Sequence, residues 1–324
     1  MKHFSIVRDE RHLIPYIRQA RRRRPDLTLF ASPWSPPTWM KFPKAYNYGT
    51  LVWTQRNLDA YALYFVKFIQ AYAAAGIPIR QLHMQNEPVA DQKFPSCLWS
   101  GAQMRDFIRD HLAPAFRAHG LDTELWLGTL NTGDFAGFPL TVMSDPVARA
   151  RIAGISFQWD GRNAVQRAHQ SWPGLRLMQS ENECGDGRNT WAYAHYVFAL
   201  LRHYLTNGVN AYVYWNMVLP EGGLSTWGWR QNAMVTVDRE RRTYALRPEF
   251  YVMKHFSRFI EPGAVRLELT GPWAGTSVAF RNPDGRCVVV CDNPLDGPQP
   301  LRLRHAGRTL AVALPPASFN TLVF

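Results

Sequence analysis

Cysteine is scarce in this 324-residue chain, occurring only at Cys97, Cys184, Cys287 and Cys291. Four cysteines are too few to staple a chain of this size, and none stands in CxxC spacing, so neither a disulfide scaffold nor a structural zinc site is expected. Cys287 and Cys291 are four apart in a strand-like run and so share a face, which fits buried free thiols better than a functional pair. Long apolar runs are also missing. The longest stretch without formal charge, His203–Pro220, is interrupted by Asn207, Gly208, Asn210 and Asn216, so no membrane span is expected. The opening residues, MKHFSIVRDERH, carry charges where the apolar core of an export signal would sit. Neither GxGxxG nor GxxxxGK[ST] is present, which counts against a doubly wound nucleotide-binding sheet. Acidic residues are in deficit, 25 against 37 Lys plus Arg, for a formal charge of +12.

What remains is the composition of a folded chain, 46% hydrophobic and 19% charged, long enough for one large domain with a small appendage. The densest basic cluster, Arg18 with Arg21, Arg22, Arg23 and Arg24, closes a helical pattern, where cations complement the helix dipole. The competing explanation is an anionic partner, nucleic acid or a lipid surface. No zinc-finger, RNA-recognition or helix-turn-helix signature accompanies the cluster, so a nucleic-acid partner is not expected.

Short β-prone runs alternate with longer helical patterns. The runs are Leu27–Ala31, Gln81–Gln85, Leu125–Leu130, Gly154–Phe157, Leu175–Gln179 and Ala211–Trp215; the helical stretches include Glu10–Arg22, Asn57–Ala75, Gln103–His119 and Thr190–Leu205. Alternation of this kind predicts βαβ units and a parallel sheet covered by helices. Each run ends in polar or aromatic residues, as the strands of a (β/α)₈ barrel do at the active face. Six units can be placed where a closed barrel needs eight; either two strands are disguised or the N-terminal part of the barrel is absent. After a helix near Tyr251–Phe259 the pattern changes to short alternating strands with a tight turn at Asn282-Pro283-Asp284-Gly285. The expectation is an α/β barrel domain over residues 1–260, incomplete at its N-terminus, and a small β-sandwich over 261–324.

Two carboxylates stand directly after strands: Glu87, in His83-Met84-Gln85-Asn86-Glu87-Pro88, and Glu181, in Gln179-Ser180-Glu181-Asn182-Glu183. One such residue could simply favour the start of the next helix. Two of them, three units apart, would face each other across a barrel mouth. That suits glycoside cleavage, in which one carboxyl protonates the leaving oxygen and the other attacks the anomeric carbon, and the expected separation for retention is about 5–5.5 Å. Asn86 is placed to hydrogen-bond a sugar hydroxyl. Twelve tryptophans fit the same chemistry, with Trp34, Trp39, Trp159, Trp215, Trp227 and Trp229 at strand ends or in the loops after them. Trp34 and Trp215, beside polar residues, are expected to be sugar platforms, and Trp39 to belong to the core.

The segments Ala31–Lys41 (ASPWSPPTWMK), Asn86-Glu87-Pro88, Ser180-Glu181-Asn182-Glu183-Cys184-Gly185 and Tyr214-Trp215-Asn216-Met217, with Pro220-Glu221-Gly222-Gly223, resemble glycoside hydrolase family 30, and within it the glucosylceramidases. The resemblance covers essentially the whole chain. It implies a (β/α)₈ barrel with a side β-sandwich, Glu87 as acid/base, Glu181 as nucleophile, Asn86, Trp34 and Trp215 against the sugar, and Glu183 in support. At the end of the sixth family strand this chain has Gln158-Trp159-Asp160-Gly161, not the more usual His-Trp-Tyr pattern, so Gln158 and Trp159 are expected at the substrate. The family's first barrel units, which carry an Arg near the nucleophile and an Asp for sugar hydroxyls, have no counterpart here.

The expected function is retaining hydrolysis of β-glucosides or a glycolipid such as glucosylceramide, needing no metal or organic cofactor. The alternatives are endo-β-1,6-glucanase or β-xylosidase activity, or an inactive, carbohydrate-binding fragment, because an open barrel exposes sheet edges. A basic surface would assist approach to anionic lipid. A secreted or periplasmic location is implied by the resemblance alone, should a signal lie upstream.

Overall fold

The computed structural model describes residues 1–324, which form two compact units, Met1–Ser180 and Glu181–Phe324. In the first, strands Phe30–Ala31, Gln81–His83, Glu124–Leu130, Ile152–Gln158 and Arg176–Glu181 lie side by side in chain order. The pairings are parallel, with Phe30 opposite Gln81, Gln81 opposite Glu124 and Leu125 opposite Ile152. Nearly every residue of the central strands is buried, as expected where helices cover both faces of a parallel sheet. The run from Leu27 yields a strand only at Phe30–Ala31, although the Leu29 carbonyl already accepts from Arg80 N at 2.9 Å.

Helix Gln55–Ala74 starts at Thr54, whose Oγ1 accepts from Asn57 N at 3.3 Å. Its buried residues, Leu58, Tyr61, Ala62, Phe65, Val66, Ile69 and Tyr72, recur every three or four positions and make one apolar stripe. That stripe meets the helical segment 101–118, which opens with a capping box between Ser100 and Gln103. Phe107 is central there, with ring centroids 5.6 Å from Tyr61 and 5.5 Å from Trp99. The helix Leu13–Arg23 explains part of the basic cluster. Arg18 donates to the Ala75 carbonyl at 2.8 Å and Arg21 to the Gly76 carbonyl at 2.6 Å. These guanidiniums therefore cap the C-terminus of a neighbouring helix, in addition to complementing their own dipole.

Trp39 corrects the expectation that it belongs to the core: it is 50% exposed. It sits in a short 3₁₀ turn, Thr38–Met40, that buries Met40 instead.

In the second unit, helix Trp191–Thr206 begins at the cap Thr190 and leads to a sixth barrel-type strand, Val209–Tyr212. Strand Val235–Asp238 pairs antiparallel with Thr243–Leu246 and parallel with Val218–Pro220. After helix Pro248–Ser257 come four antiparallel strands in the order Val265–Leu267, Ser277–Arg281, Cys287–Asn293 and Ser318–Val323, with a separate hairpin of Gln299–His305 and Arg308–Leu314. Strand Cys287–Asn293 is buried throughout because both of its faces are covered. Val288 and Val290 join Val197, Phe198, Leu201, Val252 and Phe256 of the two helices. Val289 and Cys291 join Leu301 and Leu314 of the hairpin. Period-two alternation thus becomes a continuous apolar run. Cys287 and Cys291 fall on the same face and are buried and free, as expected; all four cysteines are free thiols. No helix is long and apolar enough to cross a membrane.

The packing around Phe107 predicts that Phe107→Ala lowers unfolding stability by about 3–5 kcal/mol in urea titration, whereas Phe42→Ala, at a position 74% exposed, changes it by less than about 0.5 kcal/mol.

Candidate active site

Strand Gln81–His83 continues into Met84-Gln85-Asn86-Glu87-Pro88, all of it buried. The main chain of this segment is stitched to its neighbours: Gln85 N donates to Gly128 O at 3.0 Å, Thr129 N to Gln85 O at 2.6 Å and Glu87 N to Thr129 O at 3.0 Å. On the other side Asn86 N donates to Pro33 O at 2.8 Å. Glu87 itself adopts φ of 49°, a left-handed conformation that few non-glycine residues take.

The side chains of Asn86, Glu87 and Gln158 come together. Gln158 Nε2 donates to Glu87 Oε1 at 3.1 Å and to Asn86 Oδ1 at 3.3 Å. Thr129 Oγ1 donates to the same Asn86 oxygen at 2.9 Å. With Oδ1 turned towards these two donors, the Asn86 amide hydrogens are kept for another acceptor, such as a hydroxyl oxygen. Burial pushes the Glu87 carboxyl above the usual carboxylate range, and the hydrogen bond from Gln158 opposes that shift. The result is a buried carboxyl disposed to hold its proton.

Gln158 was expected at the substrate, but both hydrogens of its amide are engaged by Asn86 and Glu87, and its Oε1 accepts from Ser180 Oγ at 3.1 Å. It is fully buried and acts on Glu87. Trp159, the next residue, has φ of 50° and is half-buried. Asp160 of the same turn accepts from Gly133 N and from Asn163 Nδ2, each at 2.7 Å, and so ties down the local loop. Trp34 is half-buried; its carbonyl accepts from Gln85 Nε2 at 3.0 Å and its ring lies edge-on to Phe94 at 5.2 Å.

In the second unit, Glu181 ends its strand and is 9% exposed. Asn182 Oδ1 accepts from Trp215 N at 2.5 Å, and Asn182 Nδ2 donates to Glu183 O at 2.8 Å. The residue after Glu181 thereby positions the backbone of Trp215. Tyr193 OH donates to Glu183 O at 2.6 Å, and Tyr196 OH donates to the Glu183 carboxylate, so Glu183 is held in a supporting position. The following loop is gathered on Asn232, whose Oδ1 accepts from Gly187 N at 2.7 Å and whose Nδ2 donates to Glu249 Oε1 at 2.7 Å. Asn189 Nδ2 donates to Glu249 Oε2 at 3.1 Å. Burial raises the Glu249 carboxyl's proton affinity, opposed by these amide hydrogen bonds. A Cβ on Gly185 (φ 67°) would lie 2.6 Å from the Asn232 side chain, so that position requires glycine.

Sequence reasoning missed Thr129, Ser180, Asn182, Asn232 and Glu249. Asn182 carried a signal, since it lies between two acidic residues at a strand end. Asn232 and Glu249 carried none, because their partners are remote in sequence.

Parallel strands alternating with helices, a following β-sandwich, and acid and amide side chains just after the strands are the architecture found in barrel-type glycoside hydrolases. The family model described as the glycosyl hydrolase family 30 TIM-barrel domain matches residues 1–260, and that of the family 30 beta sandwich domain matches residues 263–322. The chain belongs to glycosyl hydrolase family 30. It is 35% identical over 298 residues to an endo-1,6-β-D-glucanase of Neurospora crassa, covering 85% of this chain and 60% of that protein. It is 30% identical to the lysosomal acid glucosylceramidase of Mus musculus, covering 94% of this chain and 64% of that protein. The crystal structure of SrfJ from Salmonella typhimurium superposes with a TM-score of 0.89 at 28% identity, covering 100% of this chain and 74% of that one. The chain spans about three-fifths of the length of the two curated relatives.

The hydrogen bond from Gln158 favours the ionised form of Glu87, so its removal must raise the Glu87 pKa further. In Gln158→Met, carboxyl titration by ¹³C NMR is expected to move the Glu87 midpoint to higher pH; an unchanged or lower midpoint would contradict this electrostatic assignment.

Proposed function

We propose that this chain hydrolyses β-glucosides with retention of configuration, residues 1–260 forming the catalytic domain and 261–324 an accessory sandwich. A carboxylate oxygen of Glu181 attacks the anomeric carbon as the glycosidic C–O bond breaks, and Glu87 gives its proton to the departing oxygen. Glu87, now ionised, removes a proton from water, which attacks the anomeric carbon and frees Glu181. The observation that carries this reading is the buried Glu87, shifted by burial towards its protonated form and fixed beside Asn86 by one shared amide. Trp34, Asn86, Trp159 and Trp215 would line the sugar, with Gln158 orienting the acid.

The glucosylceramidase relative and the endo-1,6-β-D-glucanase relative both bear names that imply a β-linked glucose. That shared glycone is the substrate class we assign. Between a glycolipid and a β-1,6-glucan, the 35% identity to the Neurospora glucanase favours the second as a reading to test beside the first.

With an aryl β-glucoside, Glu181→Ala is expected to abolish turnover, and Glu87→Ala to lower it by roughly 10²–10⁴-fold with partial rescue by azide. Proton NMR should show the β-anomer formed first; first formation of the α-anomer, or near-wild-type activity in Glu181→Ala, would overturn the mechanism. Parallel assays on glucosylceramide, β-1,6-glucan and an aryl xyloside separate the substrates, and turnover of the xyloside alone would remove the glucoside assignment.

A further inference from the structure

The loop that follows strand Phe30–Ala31 carries an unusual concentration of exposed aromatic rings. Trp39, Phe42, Tyr46, Tyr48 and Trp53 are all exposed, Phe42 by 74% and Tyr46 by 62%. Five large exposed aromatics within one short segment concentrate apolar surface on that loop, the kind of surface that meets a ligand or partner.

This loop is rigidly built. Lys41–Phe42 pairs antiparallel with Thr50–Leu51, so Lys41 and Leu51 share one face, which is buried, while Phe42 and Thr50 share the other, which is exposed. The buried lysine, 1% exposed, donates from Nζ to the carbonyls of Tyr46 (3.0 Å) and Ser96 (2.5 Å). A lysine withdrawn from water to cross-link two backbones is costly unless it fixes something. What it fixes is the aromatic loop against the segment that follows Glu87. Tyr48 N donates to Gln92 O at 3.2 Å, Ser96 N to Tyr46 O at 3.0 Å and Leu98 N to Gly49 O at 2.9 Å. Gly49 N donates to Asp91 Oδ1 at 2.8 Å. Trp34, at the start of the same loop, touches Phe94 in the same partner segment.

We propose that residues 38–53 form the leaving-group platform of this site, a fixed aromatic surface that takes the glucose residues on the far side of the scissile bond. The inference deepens the proposed function and rests on Glu87 being the acid. A general acid touches the glycosidic oxygen, which is the boundary between the sugar that is transferred and the group that departs. The loop laced to the acid's own segment is therefore on the departing side. The chemistry of the surface selects a sugar. Aromatic rings with hydroxyl or N–H edges, as Tyr46, Tyr48 and Trp39 provide, match the apolar face and polar rim of a pyranose. An anionic membrane would ask for several exposed cations, but of the two lysines in 38–53 one, Lys41, is buried.

The test is binding of gentiotetraose, a β-1,6-linked glucose tetrasaccharide, to the full chain by calorimetry, with every variant and the wild-type platform it is compared with carrying Glu181→Ala so that the ligand is not hydrolysed, glucose as the short ligand and Tyr244→Ala as an exposed-aromatic control in the second unit. Trp39→Ala/Phe42→Ala is expected to weaken gentiotetraose roughly tenfold or more while leaving glucose affinity and the urea midpoint close to wild type. Tyr244→Ala is expected to leave both affinities unchanged. The platform is refuted if wild type does not bind gentiotetraose, if the double variant binds it as wild type does, if both ligands weaken equally, or if the aromatics instead govern binding to vesicles containing anionic phosphatidylserine. Weakened gentiotetraose binding in the platform variant, together with no turnover of any glucoside by the chain with Glu181 intact, would sink the hydrolase reading and leave a glucan-binding surface. Aryl-glucoside turnover with platform-independent gentiotetraose affinity would sink the platform alone.

Discussion

The site depends on one backbone event, the left-handed turn at Glu87. In a regular strand, successive side chains point to opposite faces, so Asn86 and Glu87 would be parted. With φ of 49° at Glu87 the alternation breaks, and a single amide, Gln158 Nε2, reaches both. A non-glycine residue in this region costs on the order of 1–3 kcal/mol. The backbone hydrogen bonds of Gln85, Asn86 and Glu87 to the flanking segments, each worth roughly 0.5–1.5 kcal/mol net, are enough to offset it. The same break recurs after other strand ends, at Trp159 (φ 50°) and Asn216 (φ 64°). Each lies at a position singled out by its chemistry or directly after one.

Burial then acts on the groups so placed, and its effect depends on the sign of the charge it disfavours. His83, on the same strand as the Glu87 segment, is fully buried and pushed down to about 3, with Nδ1 paired to Ser156 Oγ at 2.7 Å and its ring stacked 5.1 Å from Trp126. Glu87, a few residues on, is pushed up by the same loss of water. For a histidine the neutral form has given up its proton, and for a carboxyl the neutral form still carries it. One physical effect thus favours the deprotonated ring in one case and the protonated carboxyl in the other.

Much of this was legible in the sequence. The alternation of β-prone runs with helical patterns marks six strands of one sheet; Glu181 ends its strand, and Glu87 lies in the buried segment that follows strand Gln81–His83. What stayed hidden has physical causes. Helix Arg162–Ser171 has only Ala164, Val165 and Ala168 on its buried face, too little apolar periodicity to register. The hairpin of Val235–Asp238 and Thr243–Leu246 is largely exposed and rich in arginine around its turn, so it carries no period-two apolar signal. Trp39 was assigned to the core from its type, but its neighbour Met40 occupies the buried position of a turn whose register no periodicity announces. The hydrogen bonds of Gln158 to Asn86, Glu87 and Ser180 could not be read from the sequence, because two of these partners lie about 70 residues away along the chain.

The second unit carries the argument from packing to chemistry one step further. Helix Pro248–Ser257 buries Val252 and Phe256 against the sheet through Val278, Val288 and Val290. From its first turn it offers Glu249 to Asn189 and Asn232, the residues that gather the loop after Glu181. A buried carboxyl with two amide donors is stable only while both donors stay in place. The position of that loop therefore follows from the seating of the helix, and the seating of the helix from the even-numbered face of strand Cys287–Asn293. The packing of the β-sandwich in this way fixes the loop beside the carboxylate proposed to attack.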